Sequence, residues 1–169
     1  MEDAHIERLK EIGKKWFVDN GVKNPYLSED EIYNLSIRRG SITPEQMQIM
    51  RDHIIWTIRL LEQVPFTENL KRVPTFAAQH HEKLNGTGYP YGLTDSQIPV
   101  QSRILAIADL YEALTAKRPY KKPLPLETVL SILKKAADAH EIDPDILKVI
   151  IDEKLYERFE REFEQNMLY

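Results

Sequence analysis

Val100-Gln101-Ser102-Arg103-Ile104-Leu105-Ala106-Ile107-Ala108-Asp109-Leu110-Tyr111-Glu112-Ala113-Leu114-Thr115-Ala116 decides the fold class. Ile104, Leu105, Ile107, Ala108, Tyr111 and Leu114 nearly encircle a helix of this length, so the segment is expected to be central and mostly buried, packed on the helix that carries His53. Outward from it the chain keeps the same character. Ile6, Leu9, Ile12 and Trp16-Phe17 recur at helical spacing over about 3–18, with Gly21 as the stop. Ser28-Glu29-Asp30-Glu31 opens a short helix through Ile37 as a capping box. Thr43-Pro44-Glu45-Gln46 opens another expected to run to about Val64, ended by Pro65. Helical patterns follow over about 67–83 (broken or kinked near Pro74), 125–140, 144–153 and 153–166. No alternating strand pattern extends beyond a few residues, and the chain reads as all-α.

With 169 residues, 42% hydrophobic and 30% charged, the chain suits a soluble globular domain with a substantial core. Its formal net charge of −4 disfavours a binder of nucleic-acid duplexes. There is no cysteine, so a metal site must use His, Asp or Glu. No run reaches the length of a membrane span and Met1-Glu2-Asp3 is no signal peptide, which gives the expectation of a cytoplasmic domain without membrane contact.

The chemistry concentrates in His80-His81-Glu82-Lys83-Leu84-Asn85-Gly86-Thr87-Gly88-Tyr89-Pro90. Two adjacent imidazoles beside a carboxylate are metal-ligand chemistry. Gly86, Gly88, Tyr89 and Pro90 form a turn that brings backbone close to its neighbours. Adjacent residues on a regular helix point about 100° apart, so both rings reach one ion only where the helix ends or distorts. The alternative is that one histidine caps the helix and the other is solvated. His53 lies on an apolar helix face, either as a ligand or as a core histidine with a local partner. Asp109, inside an apolar run, needs a metal or a cation such as Arg103 or Arg118. Glu112 is one turn further on, and Glu82 either orients a histidine from behind or is a surface acid. Arg118, Lys121 and Lys122 form a cationic loop suited to phosphate, or to solubility alone.

Together these stretches resemble the HD-GYP subgroup of the HD phosphohydrolase superfamily. Leu27–Arg39, Ile42–Leu61 with His53, His80–Pro90, Arg103–Asp109, Tyr111–Thr115, Arg118-Pro119-Tyr120 and Ile142–Asp145 carry the likeness in order. The resemblance implies an HD-domain-like helical bundle with a GYP loop over 23–169, preceded by an N-terminal helix over 1–22. It implies an iron- or manganese-type divalent metal and hydrolysis of a cyclic dinucleotide, chiefly cyclic di-GMP. By position, His53, His80, His81 and Asp109 match metal ligands, and Arg118 and Lys121 fall in the region that would meet substrate phosphates. Two departures stand out. Asn85 replaces the usual Asp, and the His-Asp pair is missing, Lys10-Glu11 standing in a similar Ile-Gly-Lys context. Either the pair lies in an upstream region, with a sensor, or the domain is degenerate. On both readings this chain alone is expected to hold at most one ion and to be inactive. The rival to an enzyme is a non-catalytic signalling or partner-binding module on the same fold, and a homodimer is compatible with either.

Overall fold

The computed structural model describes residues 1–38, 40, 42–117 and 122–158, and its backbone divides into two compact units, 1–52 and 53–169. In the first unit α1 (Asp3–Gly13) packs on α2 (Glu29–Leu35), and α3 (Pro44–Arg51) follows. The expected capping box at Ser28 and the expected N-cap at Thr43 are both formed, the latter also as a box. Ser28 exchanges bonds with Glu31, and Thr43 does so with Gln46, leaving few orphan N–H groups at either helix start.

Between α1 and α2 the sequence reading needs correction. The first helix stops at Gly13, and Trp16–Asp19 (β1) pairs antiparallel with Val22–Pro25 (β2). The turn is Asn20-Gly21, with φ of +48° and +78°, the pairing of residues that a two-residue hairpin with positive φ at both positions prefers. The hairpin therefore spans the expected boundary at residue 22. The helix expected over 44–64 is also two helices, α3 and α4 (His53–Leu61), with a turn at Asp52. Asp52, the C-cap of α3, accepts a bond from the Gln48 side chain one turn earlier, an (i, i+4) contact that supports the last turn of α3.

In the second unit α4 packs on α5 (Val73–Ala78), and α5 packs on α6 (Val100–Thr115). The helix expected over 67–83 is reduced to α5, because Pro74 opens it rather than kinking it. α7 (Leu126–Asp138) and α8 (Pro144–Asp152) close the unit. Its core is Ile107 of α6, Val129, Leu133 and Ala136 of α7, Ile142, and Leu147 of α8. The four-then-three spacing along α7 puts one apolar stripe inward.

α6 is not buried all round, as its sequence suggested. Ile107 and Ser102 are buried, but Ile104 and Leu105 are 46% and 43% exposed, and the His53 helix packs chiefly on α5. The core cluster takes Ile107, Leu110, Tyr111 and Leu114 of α6 and leaves out Ile104 and Leu105. Residues 159–166 of the closing helix expected over 153–166 lie outside the described residues. No helix among the described residues is long and apolar enough to cross a membrane.

Candidate metal centre

Three elements of the second unit deliver the site. His53 is the first residue of α4. α5 ends at Ala78, so His80 and His81 lie in turns, free of the divergence that a regular helix would impose. Asp109 comes from the middle of α6. The buried Ser102 hydroxyl of α6 donates to the Gln79 side chain (3.3 Å), which ties α6 to the residue just before the pair.

His81 is the hub. One ring nitrogen, Nε2, lies 3.3 Å from His53 Nε2, and the other, Nδ1, lies 3.7 Å from Asp109 Oδ2. Two ring nitrogens in such contact need a proton or a cation between them. Nitrogen ligands about 2.1 Å from one first-row ion, at roughly 90–109°, are themselves ~3.0–3.4 Å apart. The observed separation is that of two neighbouring ligands.

His80 adds the third donor. Its Nδ1 donates to the Ala77 carbonyl at 2.5 Å, which fixes the tautomer and leaves Nε2 with its lone pair. Its ring centroid lies 4.1 Å from that of His81. One nitrogen from each of His53, His80 and His81 falls within 4.8 Å of the others. The donor set thus fits a divalent ion with affinity for imidazole. Asp109 sits on the far side of His81, half exposed, where a carboxylate orients the ring of a histidine ligand. Arg103, its suggested cationic partner, is engaged elsewhere, on Asp95, Asp143 and the Ile98 carbonyl.

Burial, together with the positive charge that His80 would carry, holds the His81 imidazole down to about 4, against a smaller upward pull from Asp109. This has a sign. The unfolded ring takes its proton near pH 6.5 and the folded ring only near 4, so the stability tied to neutral His81 is complete above about 6.5 and is lost between 6.5 and 4. In metal-free protein the urea midpoint is expected to fall as pH drops through that window. The fall should be shallower in His81→Gln; equal slopes would mean that His81 is not held neutral.

The turn after the pair lies against it. Tyr89 N–H donates to the His81 carbonyl (3.2 Å), and the Tyr89 ring stacks on the His81 ring at 4.7 Å between centroids and 29° between planes. The Tyr89-Pro90 bond is cis. Gly86 turns the chain with φ of +77°, and Gly88 passes directly over the backbone of Glu82 and Lys83. Asn85 accepts from the Thr87 N–H and hydroxyl and donates from Nδ2 to the Ala139 carbonyl, a bond that an ionised Asp has no proton to make. Arg103 bonds the Asp95 carbonyl and the N-cap Asp143 of α8, fastening the loop exit to the core.

The remaining expected site residues divide. Glu82 is buried and its carboxylate faces the loop backbone, not an imidazole. Glu112 is an exposed residue of α6, one turn beyond Asp109. Arg118 and Lys121 lie outside the described residues. The tie from Arg103 to Asp143 was missed from sequence, where Arg103 was considered only for Asp109.

The family model for the HD domain matches residues 29–146, a span holding His53, His80, His81 and Asp109. A probable cyclic di-GMP phosphodiesterase of Vibrio cholerae is 32% identical over 126 residues, 72% of this chain and 28% of that protein. A cyclic di-GMP phosphodiesterase of Thermotoga maritima is 38% identical over 91 residues, 54% and 24% respectively. The 3'3'-cGAMP-specific phosphodiesterase 3 of Vibrio cholerae is 33% identical over 137 residues, 81% and 26%. The chain spans about a quarter of the length of these curated relatives.

Proposed function

This chain belongs to the HD-domain family, and from that premise we propose that it is the metal-binding part of a phosphodiesterase acting on a cyclic dinucleotide, cyclic di-GMP first. The observation that carries the reading is the 3.3 Å approach of the His53 and His81 ring nitrogens beside a His80 ring whose tautomer is already fixed. A divalent ion of iron or manganese type, held by these three imidazoles, would supply Lewis acidity toward a phosphate oxygen and an activated water. His80, through its Nδ1–H bond to Ala77, keeps its Nε2 lone pair available. Asp109 orients His81 from behind, or joins the ligand set by turning toward the ion. Tyr89 covers one face of His81 and limits water there. Arg118 and Lys121 remain the candidates to offset phosphate charge.

Lys10-Glu11 gives weight to a second reading. A lysine ammonium cannot ligate as an imidazole does, so the ligands named here serve one ion and not a bridged pair. On that count the chain alone binds one ion and hydrolyses cyclic di-GMP negligibly, and it acts as a binding module unless further ligands are supplied.

The test is a manganese titration followed by electron paramagnetic resonance, with chromatography of cyclic di-GMP after incubation with manganese or ferrous iron. We expect one manganese per chain and background hydrolysis. Rapid turnover abolished by His80→Ala would show that further ligands exist within the chain, with His5, Glu11 and Glu112 first in line. Absence of any bound manganese would end the metal-centre reading.

A further inference from the structure

Glu82 is a buried acid that the metal chemistry does not use. It is 3% exposed, beside the proposed ligand His81 yet turned away from it. Its Oε1 accepts the Tyr91 N–H at 2.6 Å and its Oε2 accepts the Leu93 N–H at 2.8 Å. Both oxygens therefore hold one short stretch of loop backbone. Hydrogen bonds to a carboxylate are stronger than those between neutral groups, and a buried N–H left without a partner is costly, so the stretch has one favoured position.

That position matters two residues earlier. The loop runs from Gly88 against the Glu82 backbone, through the Tyr89 N–H bonded to the His81 carbonyl, to the pair of N–H groups on the Glu82 carboxylate. Tyr89 is thus held on both sides, and its ring lies flat on His81. His81 must present Nε2 toward His53 and Nδ1 toward Asp109 at once, which fixes the plane of its ring. A ring stacked on it limits rotation out of that plane.

We propose that Glu82 is a positioning residue: by holding the Tyr91 and Leu93 N–H groups it keeps Tyr89 stacked on His81 and so sets the plane of that imidazole. The inference rests on the reading of His81 as a metal ligand only for its effect on affinity. The effect on the ring itself is independent of any metal.

The experiment uses the whole chain and three variants, Glu82→Gln, Tyr89→Ala and the double variant. Gln keeps the shape of Glu but turns an NH₂ toward one of the two N–H groups. In metal-free protein, NMR of the His81 ring protons reads the ring current of Tyr89 directly. Glu82→Gln is expected to move those signals toward their positions in Tyr89→Ala. In manganese titrations each single variant should lose about tenfold in affinity, and the double variant no more than either, because both act through one contact. If Glu82 acts on the metal site by a route other than Tyr89, the losses multiply to about a hundredfold, and if it only stabilises the loop, the His81 signals and the affinity stay put in Glu82→Gln; either result overturns the proposal. Should Glu82→Gln fail to fold, Tyr89→Ala decides alone: unchanged His81 signals and unchanged affinity refute the idea. If the wild-type chain binds no manganese, the metal reading fails, and the NMR comparison still decides the role of Glu82.

Discussion

Replacing His81 with alanine is expected to lower manganese affinity by at least about a hundredfold, the largest loss among the single histidine variants. The reason is its place between two partners. His53 approaches one ring nitrogen and Asp109 the other, so His81→Ala removes a donor and also leaves Asp109 with no ring to orient. Loss of a group behind a ligand typically costs 10–100-fold in metal affinity, and loss of the ligand itself should exceed that. His80→Ala should follow closely, because its Nδ1–H bond to Ala77 already holds the lone pair of Nε2 in place. His140 faces Asp95 instead, at 3.8 Å and largely exposed, with φ of +53°. His140→Asn, which tolerates that backbone, should bind manganese as wild type does. Titration of the three proteins at one pH above 7 settles the matter. Affinity in His81→Ala equal to that in His140→Asn would remove the three-imidazole centre from consideration.

The order of segments that builds this site could be read from the sequence, and so could the reason that adjacent histidines need a helix end. Period and caps gave α2, α6, α7 and α8 to within a few residues, and the start of α3 though not its end, since each opens on a box, a proline or an unbroken apolar stripe. The hairpin was less visible. All four residues of β1 are exposed, so Trp16-Phe17-Val18-Asp19 shows no alternation, and the helical spacing of Ile6, Leu9 and Ile12 seemed to continue through it. The informative signal was Asn20-Gly21, a turn pair read only as a stop. Apolar composition likewise overstated the burial of α6. Ile104 and Leu105 are apolar but exposed, and pattern alone does not say which side of a helix finds neighbours. Glu82 was hidden for a different reason: its partners are backbone N–H groups nine and eleven residues away, and those carry no sequence signature. The same holds for Arg103 and Asp143, forty residues apart.

Gly88→Ala is expected to damage the site from outside the ligand set. A methyl carbon built on Gly88 would fall 2.5 Å from the Glu82 Cα and 2.6 Å from its carbonyl carbon, far inside van der Waals contact. These neighbours are backbone atoms, so no side-chain rotation can relieve the clash. Gly88 is also not among the glycines of positive φ, so its backbone conformation is open to alanine and the whole effect is one of space. Two responses are open to the chain. The turn lifts away and loses the Tyr89 bond to the His81 carbonyl, or the backbone of His81 and Glu82 shifts and takes the imidazole with it. Each separates Tyr89 from His81. Overpacking of this kind costs about 1–3 kcal/mol, and displacement of a ligand's supporting contacts costs roughly 10–100-fold in metal affinity. Both losses should therefore appear together, as a lower urea midpoint in metal-free protein and a weaker manganese titration. A variant that loses stability but binds manganese as tightly as wild type would show that the turn supports the fold and not the metal ligands. A variant unchanged in both would mean that Gly88 does not lie against Glu82 in solution.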